Sequence, residues 1–106
     1  MMTLAASSED VDYGPIDAVL TSWSESHNIK FEKRSKGYAV RSFWIESKIQ
    51  LWINAPDVEG YTRLHLAELK PELPSKWGRS IEWRATQQEL SSCLENLWDL
   101  GHKWLS

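Results

Sequence analysis

The fold is decided by TQQELSSCLENLWDLGHKWL, residues 86–105, in which a helix start signal and an apolar stripe agree. Thr86 and Glu89 have the spacing of a capping box, in which each side chain accepts the backbone N–H of the other residue. Apolar and small residues then recur at spacings of three and four, on one face of an α-helix: Leu90, Cys93, Leu94, Leu97, Gly101, Trp104 and Leu105. The stretch predicts a long C-terminal helix that packs on a sheet.

A shorter helix is predicted near the N-terminus. Gly14-Pro15 opens it, because proline is favoured at the first helical position, and Asn28 suits the left-handed residue that ends many helices. Its apolar face has the same helical spacing: Ile16, Val19, Leu20 and Trp23. Residues 1–13 are polar, acidic and without periodicity, so we expect a flexible tail followed by a single domain over residues 14–106.

Between the helices the apolar period changes to two, which predicts β-strands. Strands are expected at 29–32, 38–45, 48–53, 61–67 and 81–85. Residues 35–37 supply a glycine turn, and the prolines of residues 68–78 predict an irregular crossing loop. The predicted fold is α+β: an antiparallel meander of four or five strands, with the N-terminal and C-terminal helices packed on one face.

The loop between the second and third strands assigns side chains to faces. A two-residue loop, Glu46-Ser47, pairs Ile45 with Lys48, and this register divides the hairpin into two sets. The helix-covered set comprises Tyr38, Val40, Ser42, Trp44, Ile49, Leu51 and Ile53. The opposite set comprises Ala39, Arg41, Phe43, Ile45, Lys48, Gln50 and Trp52. Since both helices are predicted on the first face, the second face is expected to be uncovered.

Composition narrows the class of protein. A length of 106 residues, 42% of them hydrophobic and 25% charged, is typical of one globular domain. The single cysteine excludes an internal disulfide, and a net charge of −3 argues against nucleic-acid binding. No apolar run approaches the roughly 20 residues of a membrane span, and the N-terminus lacks a signal-peptide pattern. We therefore expect a cytoplasmic protein that binds neither nucleic acid nor membrane.

Catalytic and metal-binding motifs are weak. Asp99 and His102, three residues apart, resemble half of a carboxylate–histidine metal site, but only His27 and His65 remain to complete one. No serine lies in a Gly-x-Ser-x-Gly elbow, and no glycine-rich loop follows a strand. We expect no enzyme activity, no metal and no cofactor.

The uncovered sheet face is the strongest candidate site. It combines the aromatic and arginine side chains that are enriched in interface hot spots: Arg41, Phe43, Trp52, Tyr61, Arg63 and Arg84. This composition predicts a protein partner, either a second copy in a homodimer or a different protein. One alternative is that the proline-containing loop folds back with Trp77 and covers the face. Another is a small-ligand or carbohydrate pocket between sheet and helices, lined by Trp44, Trp77 and Trp83.

The order helix, β-meander, helix is similar to that of small bacterial immunity and secretion-chaperone-like domains. The resemblance rests on element order, includes no matching motif and assigns no residue roles. It implies a non-catalytic protein that acts by binding a partner.

Overall fold

The computed structural model describes residues 13–33, 41–74 and 76–106. The elements are α1 (Gly14–Ser26), β1 (Glu32–Lys33), β2 (Arg41–Ile45), β3 (Ile49–Ile53), β4 (Tyr61–Leu69), β5 (Trp77–Thr86) and α2 (Leu90–Leu105). The five strands form one antiparallel sheet in chain order, and side chains of both helices join those of one sheet face in a single core. The predicted α+β meander is confirmed. The predicted turn at 35–37 and residues 1–12 of the predicted tail lie outside the described residues.

The start of α2 follows the capping-box prediction. The Thr86 N–H donates to the Glu89 carboxylate at 3.0 Å, and the Glu89 N–H donates to the Thr86 hydroxyl at 3.3 Å. Regular helix begins at Leu90, three residues after the start at Gln87 that the capping box predicts, while Thr86 is the last residue of β5. The capping box therefore forms the turn between the edge strand β5 and α2. The predicted stripe packs inward, with these residues buried: Leu90, Cys93, Leu94, Leu97 and Gly101.

The N-terminal helix also begins where the sequence predicted, and Asn28 has the left-handed conformation, with φ 55°. Tyr13, the last residue of the predicted tail, is 4% exposed. Its hydroxyl donates to the Ile53 carbonyl at 2.6 Å and accepts the Arg41 N–H at 3.2 Å. Tyr13 therefore joins the chain before α1 to the ends of β2 and β3.

The β2–β3 hairpin differs from the prediction by one residue. Ile45 lies opposite Ile49 rather than Lys48. The Lys48 N–H donates to the Ile45 carbonyl at 3.0 Å, across two left-handed residues, Glu46 with φ 56° and Ser47 with φ 61°. Lys48 is thus an extra residue in the connection. A shift of one position moves every side chain of β2 to the other face of the sheet.

Burial explains this register. Phe43 and Ile45 join Ile49 and its apolar neighbours of β3 on the helix-covered face, each at most 2% exposed. Left-handed backbone costs a non-glycine residue about 1–2 kcal/mol. Burying an aromatic or branched aliphatic side chain contributes about 1.5–3 kcal/mol. Burial of Phe43 and Ile45 outweighs the strain of the turn, so the prediction that Phe43 and Ile45 lie on the uncovered face was wrong.

The segment predicted as a crossing loop, residues 68–78, is strand at its two ends, and residues 70–76 form the connection. β4 continues to Leu69 and β5 already begins at Trp77, so the prolines lie in a short connection outside the ladder, where a missing N–H costs nothing. The Lys70 N–H donates to the Lys76 carbonyl at 2.7 Å and closes this connection. A register shift beyond Ala67 brings Leu69 opposite Trp77. β5 is consequently a ten-residue strand at one edge of the sheet.

Candidate functional site

Four of the six predicted site residues share the sheet face opposite the helices, which we call the outer face. Strand register places Trp52 opposite His65, and Arg63 opposite Arg84. Tyr61 and Arg63 alternate with buried Thr62 and Leu64 along β4, so their side chains point away from the helices. The outer face therefore contains Trp52, Tyr61, Arg63 and Arg84, as the sequence predicted.

Phe43 belongs to the core instead. Its ring centroid lies 5.5 Å from that of Trp23 on α1 and 5.9 Å from that of Trp98 on α2. The side chain is 2% exposed. Phe43 thus packs the two helices against β2 and offers nothing to an external partner.

Arg41 also lies on the helix side. Its guanidinium lies 4.0 Å from the centroid of the Tyr13 ring, and Nη1 forms an ion pair with Asp17 Oδ1 at 3.0 Å. The Arg41 side chain is 16% exposed. It holds the start of α1 against β2, so its predicted position on the uncovered face was wrong.

Three tryptophans and a histidine form a group on the outer face that we call the tryptophan cluster: Trp44, Trp52, Trp77 and His65. Trp52 lies 5.3 Å from Trp77 and 5.2 Å from His65, measured between ring centroids. Trp44 and Trp77 stack with centroids 6.5 Å apart and an interplanar angle of 18°. All four side chains are half-buried. The cluster forms a continuous aromatic surface across β2, β3, β4 and β5.

The sequence predicted Trp52 on this surface but missed Trp44 and Trp77, for two reasons. Trp44 was assigned to the helix-covered face because the hairpin register was wrong by one residue, and Trp77 was assigned to a loop. A three-residue connection at 46–48 was the available signal, since it puts Phe43 and Ile45 on the same face as the apolar residues of β3. With that register, Trp44 and Trp52 point outward together.

The positions of Trp77 and Trp83 test the two alternatives, a loop that covers the outer face and a pocket between the sheet and the helices. Trp77 lies against the outer face, as the covering alternative predicts, but it does so from β5 and leaves the rings half-exposed. Trp44 and Trp77 are on the outer face and Trp83 is 41% exposed on the edge strand, so the predicted pocket between sheet and helices is wrong. A depression of about 500 Å³ lies elsewhere, between α1 and α2, beside Trp23 and Glu95.

Charges on the outer face are concentrated near one end of β4. Arg63 and Arg84 lie directly opposite each other, which is unfavourable for like charges. The Arg84 guanidinium lies 4.4 Å from the centroid of the Tyr61 ring and 3.8 Å from Glu59 Oε1. No carboxylate of the described residues lies within ion-pair distance of Arg63. Arg63 is therefore the outer-face cation best placed to receive an external carboxylate.

Two ionisable side chains of α2, Glu95 and His102, contact residues of the two helices. Glu95 accepts the Trp23 indole N–H at 3.0 Å and lies 3.1 Å from His27 Nε2, and these two contacts lower the pKa of its carboxyl. His102 Nδ1 lies 2.9 Å from the Trp98 carbonyl oxygen, a contact within α2. Among residues 13–33, 41–74 and 76–106, no three His, Cys, Asp or Glu side chains are grouped as metal ligands.

Glu68 and Arg79 form a bidentate ion pair on the helix side. Arg79 donates from Nε and Nη2 to the two carboxylate oxygens of Glu68, at 2.9 and 2.8 Å. The same Nη2 also donates to the Trp104 carbonyl at 2.9 Å. Hydrogen bonding from Arg79 lowers the pKa of Glu68 from 4.5 to about 2, against the opposing effect of burial. The pair joins β4, β5 and the end of α2.

No protein-family model matches the chain, and no curated protein or solved structure is similar enough to count as a match. Within the part of the chain that the structure describes, no helix has both the length and the apolar character needed to cross a membrane. Inference about function therefore depends on the geometry of the outer face.

Proposed function

We propose that the protein is a non-catalytic domain that binds a protein partner through its outer face. The observation that carries the proposal is the tryptophan cluster, whose rings touch one another and remain half-exposed on the side of the sheet without helices. Tryptophan is among the residues most enriched in interface hot spots. A contiguous exposed apolar patch on a small domain is typical of a contact surface.

The charges beside the cluster define the kind of partner. Arg63 has no carboxylate of the described residues within reach, and it lies opposite a second arginine, Arg84. A carboxylate from the partner would relieve this repulsion and form charge-assisted hydrogen bonds. The expected contact segment therefore presents an apolar or aromatic side chain to Trp52 and an acidic side chain to Arg63.

A carbohydrate ligand on the same face is a second candidate, because exposed tryptophan faces also stack on sugar rings. Sugar binding needs accessible hydrogen-bonding groups beside the rings. The neighbouring polar side chains, Ser42 and Gln50, are 2% and 6% exposed, and Gln50 Nε2 lies 3.5 Å from Ser42 Oγ. The polar side chains that remain exposed on this face include the charged Arg63, Glu82 and Arg84, which favour a protein partner that carries charged groups.

A library of random displayed peptides tests the proposal even though the natural partner is unidentified. Peptides are selected on the wild-type protein, synthesised, and titrated by fluorescence anisotropy. We expect enriched peptides to combine aromatic and acidic residues. Replacing a central hot-spot tryptophan costs about 2 kcal/mol or more, so Trp52→Ala should raise the Kd about 30-fold.

Two further variants complete the design. Arg63→Glu should weaken peptides that carry a carboxylate about 10-fold and leave uncharged peptides unaffected. Trp104→Ala is the matched control, because Trp104 is a half-buried tryptophan on α2 and its ring lies 5.3 Å from Arg79, away from the outer face. Selected peptides that bind Trp52→Ala as well as wild type would overturn the proposal, as would a selection that enriches no peptide.

A further inference from the structure

One edge of the sheet is a long strand. β5 at that edge has ten residues. Edge strands in natural proteins are usually short or carry lysine or proline, because their free N–H and C=O groups pair readily with another strand. β5 contains neither lysine nor proline. Ile81 and Trp83, on the helix side of β5, are 36% and 41% exposed.

We propose that β5 is a self-association edge, which pairs antiparallel with β5 of a second copy about a two-fold axis through Trp83. In this register Trp83 lies opposite Trp83 of the second copy. Glu82 lies opposite Arg84 of the second copy, and the symmetry repeats this charge pair. The dimer does not depend on the proposed outer-face function, because it forms through the edge of β5 and not through the tryptophan cluster.

Charge complementarity selects this register from its neighbours. A two-fold axis perpendicular to the sheet leaves the outer faces of both copies on the same side. Each side chain must then lie opposite one from the same face, so the axis passes at a residue and not between two residues. An axis through Glu82 or Arg84 would place like charges directly opposite each other, which is destabilising. An axis through Ile81 would place Arg79 opposite Trp83 and leave Glu82 opposite Ser80. Centring on Trp83 gives two opposite-charge pairs on the outer face and apolar pairs on the helix side.

The present contacts of Arg84 leave it available for this pairing. Its nearest carboxylate, on Glu59, is 3.8 Å away, and the two side chains are 54% and 71% exposed. Such an exposed pair contributes little to stability. The resulting dimer has one continuous sheet of two five-stranded halves, and the tryptophan clusters remain on its outer face. Self-association through β5 therefore leaves the tryptophan cluster and Arg63 free for a different protein.

Exchanging the charges of Glu82 and Arg84 tests the pairing. The dimerisation constant is measured by sedimentation velocity over a concentration series. We expect a wild-type dimer, and Glu82→Arg or Arg84→Glu alone should weaken dimerisation about 10-fold or more, because each creates two like-charge pairs. The double variant Glu82→Arg/Arg84→Glu should restore the wild-type dimerisation constant to within about 3-fold. Lys48→Glu is the control, since Lys48 is exposed in the β2–β3 connection and away from β5, and should have no effect. A wild-type monomer at millimolar concentration, or no restoration in the double variant, would overturn the inference.

Cysteine cross-linking tests the register. In a Cys93→Ser background, Trp83→Cys places one thiol on each side of the axis, with Cα atoms about 4.5–5.5 Å apart. This spacing is within the range of about 4.4–6.8 Å that a disulfide requires. Ile81→Cys on the same face is the control, because its two copies are about 13 Å apart along the strands. We expect a disulfide-linked dimer from the first variant alone. Absence of that dimer, or equal cross-linking of both variants, would contradict the register.

Failure of the dimer is distinguishable from failure of the outer-face proposal. Peptide titrations are carried out at protein concentrations below the dimerisation constant, where the wild type and Trp52→Ala are both monomeric. Loss of peptide binding on Trp52→Ala under these conditions tests the outer-face proposal, and the cross-linking result tests the pairing of β5.

Discussion

Two aromatic clusters lie on opposite faces of the same sheet and differ in what covers them. On the helix side, Phe43 lies 5.5 Å from Trp23 and 5.9 Å from Trp98, and its side chain is closed off from solvent. On the outer face, Trp52 lies 5.3 Å from Trp77, and both remain half-exposed. Ring spacing is similar in the two clusters. The difference in exposure indicates that the first cluster holds the fold together and the second is available to a partner.

The largest expected effect compares two neighbours on β2. Phe43→Ala should lower the free energy of unfolding by about 3–5 kcal/mol, because it leaves a cavity between the helices and the sheet. Trp44→Ala removes a larger side chain from the outer face and should cost less than about 2 kcal/mol. Urea titrations monitored by circular dichroism measure both. Equal losses of stability would mean that the outer face contributes as much to folding as the helix-covered face.

The same two neighbours illustrate what the sequence could predict. The capping box at Thr86 and Glu89 and the helical stripe of α2 depend on local spacing, and both were correct. The register of β2 depends on loop length, and Glu46 and Ser47 lack the glycine or asparagine that usually marks left-handed residues. The choice between a two-residue and a three-residue loop depends on which apolar side chains of β2 and β3 are buried together, and local spacing does not show this. For the candidate site, the β4 and β5 residues were therefore placed correctly and the β2 residues were not.

A second comparison concerns how closely α2 approaches the sheet. A Cβ atom on Gly101 would lie 2.6 Å from Ile45 Cδ1 and 3.6 Å from Ile49 Cγ2. Gly101→Leu should therefore overpack the helix-covered face and cost about 1–3 kcal/mol, despite the higher helix propensity of leucine. Ser92→Leu, at an exposed position of α2, is the control and should be near neutral. A neutral Gly101→Leu variant would show that α2 is free to move away from β2.

The pH dependence of stability tests the ion pair between Glu68 and Arg79. The pKa of Glu68 is lowered from 4.5 to about 2 by Arg79. A carboxyl whose folded pKa is depressed stabilises the fold above its unfolded pKa, and this contribution is lost as pH falls through the folded value. The free energy of unfolding should thus decrease between about pH 4.5 and pH 2. Glu68→Gln should reduce this slope in urea titrations, and an unchanged slope would contradict the assignment.

The smallest expected effect is an increase in stability at the hairpin that assigns the two faces. Ser47 has φ 61°, which glycine adopts without strain. Ser47→Gly should raise the free energy of unfolding by about 0.5–1 kcal/mol, while Ser47→Ala keeps the strain and should not. Both are measured by thermal and urea unfolding. Stabilisation by alanine as well as glycine would mean that backbone strain is not the cause.

The separation of the two faces is tested most directly on Trp52→Ala, by measuring its free energy of unfolding and its Kd for a peptide selected on the wild type. The account predicts a stability loss of less than about 2 kcal/mol together with an increase in Kd of about 30-fold. A variant that binds like wild type, or that loses as much stability as Phe43→Ala, would contradict it.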